Sequence, residues 1–126
     1  MISTFFTTLN TFLDSCITPI SDKLDYDPQL LQQAYQQLIE IGALRLLIPE
    51  HLGGLGGERS EWVNYNLTMA KYSGALLFLQ AQHQYSVSKL KQLLPGEAIE
   101  KCLVDLAHKN EGIGICLAAD KKILII

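Results

Sequence analysis

The stretch LLIPEHLGGLGGERSEW, residues 46–62, decides the fold because it places four of the nine glycines within five positions. A glycine-rich stretch of this kind can cradle an anion, link two segments or form a turn with positive φ angles. Its spacing fails the dinucleotide motif, since Arg59 stands where a third glycine is needed, and no Gly-Lys-Ser/Thr follows as in a P-loop. We therefore predict a tight turn that follows Pro49, with Ser60 capping the next helix.

Two helices are predicted before this turn. Residues 3–17 place apolar side chains at helical spacing and stop before Pro19. The second helix has the clearest boundaries, because Asp27 is a good N-cap, Pro28 suits the first helical position and Gly42 suits the C-terminal end.

The segments after the turn differ in the secondary structure that their sequence predicts. Residues 61–72 fit a helix or a strand, because their apolar residues also alternate with period two. Residues 75–94 are apolar nearly all round at their start, which is typical of a helix that passes through a core, and Pro95-Gly96 ends it. A further helix is predicted over residues 97–109, and two short strands joined by a turn are predicted within residues 112–126.

Composition limits the class of protein. The chain has 126 residues, 48% hydrophobic and 18% charged, which is enough for one domain with a core. Its net charge is −3 and its basic residues are scattered, so we expect no nucleic-acid partner. It has no apolar run long enough for a membrane span and no signal peptide, so we expect a cytoplasmic location.

The cysteines and histidines do not form a recognisable reactive or metal-binding motif. Cys16, Cys102 and Cys116 are odd in number and lack CxxC spacing, so we expect buried, reduced thiols and no metal site. The histidines have no metal-binding spacing either. His83 lies in the most apolar predicted helix, and we interpret it as a hydrogen-bonded packing residue in preference to a catalyst.

Most of the chain resembles the N-terminal helical domain of the acyl-CoA dehydrogenases, flavoenzymes that oxidise the Cα–Cβ bond of acyl thioesters. The resemblance covers about Asp27 to Asp120 and depends on Pro-Glu-x-x-Gly-Gly-x-Gly in its helical context. The matching residues are Gly42, Pro49, Glu50, Gly53, Gly54, Gly56, Glu61, Ser73, Gly74, Ala75 and His83. The resemblance favours a helix over 61–72.

The resemblance also implies the fold class and the domain boundaries. We expect an all-α fold of about five helices, arranged as an orthogonal or up-down bundle like the family's N-terminal domain, with a short β element at the C-terminus. Residues 1–111 would form the helical domain. Residues 112–126 would be the truncated start of the family's middle β-domain.

The family's chemistry requires parts that have no counterpart in this chain. The catalytic glutamate belongs to the family's C-terminal domain, so we expect no catalytic residue here. FAD is the family cofactor, and we expect this chain alone not to bind it. The backbone at Leu117 and Ala118 matches the strand that contacts the flavin, but Ala118-Ala119-Asp120 lacks the hydroxyl of the family's Thr-Glu-Pro or Ser-Glu-Pro.

A substrate-binding surface could still belong to this chain. In the family, the helix after the Ser-Gly-Ala turn lines the acyl-chain cavity. The corresponding positions are Leu77, Phe78, Ala81, Gln82 and Tyr85. The bulk of Phe78 and Tyr85 would favour short or branched acyl groups. The alternative is that this face packs into the helical core.

Two functions follow. In the first, the chain is an N-terminal domain or fragment of a flavin-dependent acyl-CoA dehydrogenase-like oxidoreductase of fatty-acid metabolism, acting on an acyl-CoA or acyl-thioester substrate while another segment supplies base and cofactor. In the second, it is a stand-alone, non-enzymatic helical module that binds a protein partner or a hydrophobic ligand. We expect a homo-oligomer, because the family's enzymes are typically tetramers and an N-terminal piece would expose surfaces meant for its missing domains.

Overall fold

The computed structural model describes residues 1–113, 115–117 and 123–125. Within these ranges the chain forms five α-helices, which confirms the predicted all-α class. They are α1 (Ile2–Phe12), α2 (Pro28–Ile41), α3 (Arg59–Tyr72), α4 (Gly74–Lys91) and α5 (Glu97–Lys109). Two short strands, β1 (Ile115–Leu117) and β2 (Ile123–Ile125), pair antiparallel. Among the described helices, none is long and apolar enough to cross a membrane.

The first helix is shorter than predicted. Its α-helical part ends at Phe12, and the π-helical segment Leu13–Ile17 continues it in a different geometry, followed by the 3₁₀ turn Thr18–Ile20. The apolar spacing continues through the change, because Phe5 and Leu9 in α1 are buried together with Leu13 and Ile17. The sequence therefore predicted the buried face but not the change of helix type.

The predicted boundaries of α2 are confirmed. The Asp27 carboxylate accepts hydrogen bonds from the backbone N–H groups of Gln29 and Leu30, at 3.1 and 3.2 Å. Gly42 ends the helix with a φ of +110°, a left-handed conformation that glycine adopts without strain. Local side-chain and backbone chemistry thus fixes both ends of this helix.

The predicted cap of α3 is wrong. The N-cap is Glu58 and not Ser60, which lies inside the first turn. The physical reason is the capping box between Glu58 and Glu61, in which the Glu61 carboxylate accepts from the Glu58 N–H at 3.1 Å. The Ser60 hydroxyl donates to the same carboxylate at 2.8 Å, and this bond is the main reason why the Glu61 pKa is lowered. Residues 61–72 lie within the helix, as the resemblance indicated.

The glycine-rich stretch is a turn that packs against the backbone preceding it. The N–H groups of Gly54, Leu55, Gly56 and Gly57 donate to the carbonyls of Pro49, Arg45, Ile48 and Leu46, at 2.7–3.0 Å. A Cβ atom on Gly54 would lie 2.0 Å from the Ile48 carbonyl oxygen, so no other residue fits that position. The turn is therefore held by close contact between two backbones, and the prediction of a turn is confirmed.

The core lies around α4 and the apolar run that precedes the glycine turn. α4 packs against α2, α3 and α5. Residues 43–48 are buried apart from Arg45, and the buried Tyr65 of α3 lies beside Phe5 of α1, with their ring centroids 6.3 Å apart. The hydroxyl of Tyr72 donates to the Asp14 carboxylate and so ties the end of α3 to the segment after α1. The helices consequently share one core.

We predict that Gly54→Ala destabilises the chain by more than about 3 kcal/mol, because the added methyl group overlaps the Ile48 backbone. The matched control is Gly74→Ala at the first position of α4, where an added Cβ meets no atom within 4 Å. That control should be neutral or stabilise by up to about 1 kcal/mol. Urea unfolding of both variants gives the comparison, and equal stability of the two would contradict the close-contact interpretation.

Candidate functional site

The helix α4 buries polar residues on one face and exposes apolar residues on the other. Its N-cap is Ser73, whose hydroxyl oxygen accepts from the Leu76 N–H at 3.2 Å. The face that points into the protein contains Leu76, Val87 and Leu90, and also four polar residues that are fully buried: Gln80, His83, Gln84 and Ser86. The prediction of a helix that passes through the core therefore holds for only one side of α4.

The opposite side of α4 contains the five residues that the resemblance assigned to the acyl chain. We call Leu77, Phe78, Ala81, Gln82 and Tyr85 the α4 outer face. Phe78 is 67% exposed, Tyr85 is 37% exposed and Ala81 is also exposed. Leu77 is partly buried against the core, and Gln82 is partly buried. The alternative that this face packs into the helical core is thus wrong for Phe78, Ala81 and Tyr85.

A groove between α3 and α4 extends this surface. It has a volume of about 680 Å³, and Tyr85 of the α4 outer face forms part of its lining. The other lining residues are Leu47, Glu58, Arg59, Trp62, Val63, Asn66, Ser88, Lys89, Lys91 and Gln92. Lys89 lies over the Tyr85 ring, with its Nζ atom 5.3 Å from the ring centroid. The α4 outer face therefore continues at its C-terminal end into a groove with a partly cationic rim.

Two residues in the lining of the α3–α4 groove have buried polar atoms whose hydrogen-bonding capacity is unused. The indole Nε1 of Trp62 and the side-chain oxygen of Asn66 are buried and have no hydrogen-bond partner in the described part of the chain. Lys91, by contrast, donates to the Gly57 carbonyl at 3.3 Å and so ties α4 to the glycine turn. Sequence reasoning missed Trp62 and Asn66, although their i, i+4 spacing and the single tryptophan of the chain were available as signals.

His83 is a packing residue, which confirms the prediction. Its Nδ1 atom accepts from the Ile113 N–H at 3.1 Å, so the ring is neutral and its Nε2–H donates to the Leu44 carbonyl at 2.6 Å. Burial lowers the pKa of His83, and the hydrogen bond to Leu44 only partly opposes this effect. Both ring nitrogens are occupied by the backbone, so neither can exchange a proton with a bound molecule.

The glycine turn offers no anion-binding nest. Each N–H group from Gly53 to Gly57 donates to a backbone carbonyl of the same segment, with Gly53 donating to Glu50 at 3.0 Å. An anion would have to displace bonds that hold the turn together. The role of this stretch is therefore structural.

The prediction that the cysteines are buried is wrong for Cys16 and Cys102, the two free thiols whose environment the structure describes. Cys16 and Cys102 are both exposed. Each immediately precedes a buried residue, Ile17 and Leu103 respectively, and successive positions of a helix point in different directions. In the described part of the chain, no group of three or more His, Cys, Asp or Glu residues could hold a metal ion.

The two predicted flavin-contacting positions are only partly described. Leu117 is the last residue of β1, and Ala118 lies outside the described residues. The backbone contacts that the resemblance implies for them therefore stay a prediction.

The geometry defines a class of protein: an α-helical domain whose central helix buries polar residues and presents an apolar face outward. The family model described as "Acyl-CoA dehydrogenase, N-terminal domain" matches residues 3–109 of the 126. The chain belongs to this family. The comparisons with curated proteins and with solved structures gave no match.

We predict that His83 makes stability fall at acid pH. Above its ordinary pKa of 6.5 the residue is neutral in both states. Below that pH the unfolded chain binds a proton that the folded chain resists, so the free energy of unfolding falls by at most about 1.4 kcal/mol per pH unit until the lowered folded pKa is reached. Urea titrations from pH 8 to 5 measure this decline.

The variant His83→Gln should lose this part of the pH dependence and about 2 kcal/mol of stability at pH 8, because two buried hydrogen bonds are disturbed. The exposed His108 provides the matched control. His108→Gln should keep the steep decline below pH 6.5. A decline that is unchanged in His83→Gln would show that another group is responsible.

Proposed function

We propose that this chain acts as the N-terminal helical domain of a flavin-dependent acyl-CoA dehydrogenase-like oxidoreductase, in which the α4 outer face forms one wall of the acyl-chain pocket. The reaction is oxidation of the Cα–Cβ bond of an acyl thioester. The observation that carries the proposal is the exposure of Phe78 and Tyr85 on a helix that buries four polar residues on its opposite face.

The exposure of this face supports a binding role on physical grounds. Burial of one phenylalanine side chain is worth about 1.5–3 kcal/mol, so folding gains little from a Phe78 that is 67% exposed. A surface of this kind is typical of contact with a ligand or another domain.

The shape of the face suits a short hydrocarbon chain. Phe78 and Tyr85 are seven residues apart, about 10 Å along the helix axis, and the small Ala81 lies between them. Two aromatic side chains with a methyl group between them leave a shallow apolar site. Such a site would accommodate short or branched acyl groups in preference to long ones.

The remaining chemistry would be supplied from outside the helical domain. We assign no catalytic base to residues 1–111, and we place the start of the middle β-domain at 112–126. Leu117 and Ala118 would contact FAD through their backbone atoms, whereas most of the cofactor site and the glutamate base would come from other segments.

The acyl-binding role is tested by photo-cross-linking. A butyryl-pantetheine thioester with a diazirine at the end of the acyl chain is mixed with the full chain, irradiated and mapped by peptide mass spectrometry. We expect labelling of the peptide that contains residues 77–85, and several-fold less labelling in Phe78→Ala and Ala81→Trp. Ala81→Trp fills the site without removing an aromatic group.

Leu67→Ala is the matched control, because Leu67 is as exposed as Phe78 but lies on α3. Its labelling should equal that of the unaltered chain. Labelling spread evenly over the surface, or labelling unaffected by both substitutions in α4, would overturn the assignment of the acyl pocket to this face.

The assignment of the cofactor site to other segments predicts that the purified chain shows no stoichiometric flavin absorbance, even after incubation with excess FAD and gel filtration. Guanidinium unfolding of the same sample provides the control, because it would release any flavin that remained bound. One equivalent of retained FAD would contradict the proposed division of the site between segments.

A further inference from the structure

A second cleft lies away from the α4 outer face and the α3–α4 groove. It has a volume of about 530 Å³ and lies where residues 45–53 meet the C-terminal half of α5. Its lining residues are Arg45, His51, Leu52, Gly53, Val104, Ala107 and His108. We call it the Arg45 cleft. It shares no lining residue with the α4 outer face or with the α3–α4 groove.

The charge of this cleft is opposite to that of the chain. The chain has 13 acidic and 10 basic residues, with a net charge of −3. Among the described residues, the lining of the Arg45 cleft nevertheless includes one arginine and two histidines and no aspartate or glutamate. A concave site that contains an unopposed arginine raises the local concentration of anions.

Arg45 itself has no partner for its charge among the described residues. Its side chain is partly buried, and within the described residues the guanidinium makes no hydrogen bond and no ion pair. This is unusual, because arginine has five N–H donors and is always charged at physiological pH. The charge is therefore available to a molecule that enters the cleft.

The nearby end of α2 does not satisfy Arg45 either. One terminal nitrogen of the guanidinium lies 3.0 Å from the position that a Cβ on Gly42 would take, so the arginine folds back over the C-terminus of α2. The Ile39 carbonyl there already accepts from the Gly42 N–H at 3.0 Å and from the Asn110 side-chain amide at 2.9 Å. Glycine at position 42 thus leaves room for the guanidinium without giving it an acceptor.

We propose that the Arg45 cleft binds the oxyanion of a small metabolite, with Arg45 as its principal ligand and His51 and His108 as additional N–H donors. The guanidinium fork matches the two oxygens of a carboxylate or a phosphate. The apolar Leu52, Val104 and Ala107 provide walls for the rest of the molecule. A volume of about 530 Å³ is within the usual range for small-ligand sites.

The test is an NMR titration of the full chain at neutral pH, in which the imidazole resonances of His51 and His108 and the side-chain resonances of Arg45 are followed. Inorganic phosphate and succinate are titrated separately at constant ionic strength, so that the two arms distinguish a phosphate from a carboxylate ligand. We expect saturable shifts of these three residues with at least one anion. The absence of saturation with both anions would overturn the proposal.

Two variants link the binding to the cleft. Arg45→Gln should weaken the affinity by about tenfold or more, because a charge-assisted hydrogen bond is lost. His108→Gln, which changes an exposed residue at the rim, should weaken it several-fold. His108→Gln keeps the test informative even where Arg45→Gln disturbs folding.

Lys101→Gln is the matched control, because Lys101 is an exposed cation on the same helix but does not line the cleft. It removes the same charge and should leave the affinity within a factor of about two. Equal weakening by Lys101→Gln and by Arg45→Gln would show non-specific attraction of anions, and it would overturn the assignment of a site to this cleft.

Discussion

The close contact between the glycine turn and the backbone before it is the constraint on which the rest of the structure depends. Gly54 and Gly57 approach the carbonyls of Ile48 and Leu46 so closely that an added Cβ would lie 2.0 and 2.7 Å from the respective oxygen atoms. The contact folds residues 46–57 into a compact unit and fixes where α3 begins. Because Lys91 donates to the Gly57 carbonyl, it also holds the end of α4 against this unit.

A second constraint acts on the rotation of α4 about its own axis. The sequence of this helix is apolar nearly all round at its start, so burial of apolar surface gives little preference for one orientation. Hydrogen bonds supply the preference instead. The Gln84 side chain donates to the Ala43 carbonyl at 2.7 Å, and His83 binds the Leu44 carbonyl and the Ile113 N–H. Each of these bonds would be lost if the helix turned by half a revolution.

The features that could be predicted from the sequence are those with a local cause. Asp27 and Gly42 end α2 through their own side-chain and backbone chemistry, and both were predicted correctly. The cap of α3 was predicted wrongly, because Ser60 is a good N-cap by residue type but the Glu61 carboxylate reaches back to the Glu58 N–H and places the cap two residues earlier. The two described cysteines were misplaced because residue type alone does not give the side of a helix.

The residues of the candidate site could be predicted from the sequence, but their exposure to solvent could not. The resemblance identified the five positions of the α4 outer face, whereas their exposure depends on contacts that join residues 30 to 41 positions apart in sequence. The same holds for the Arg45 cleft, whose arginine and two histidines come from segments that are up to 63 positions apart. No spacing rule connects such residues, since only the packing of α5 on the turn brings them together.

The polar bonds of α4 thereby connect stability to the proposed function. Buried hydrogen bonds contribute modestly to stability, but breaking those of His83 and Gln84 would leave buried groups unpaired at a high cost, so these bonds favour one orientation of α4. Gln80 does not contribute to this preference, because both polar atoms of its buried side chain have no partner among the described residues. In that orientation His83 and Gln84 point inward, and Phe78 and Tyr85 consequently point outward. If apolar burial alone fixed α4, the large apolar side chains of the helix would turn into the core. Phe78 and Tyr85 would then be unavailable to a hydrocarbon ligand. By anchoring α4 through polar groups, the domain keeps its aromatic side chains available at the surface.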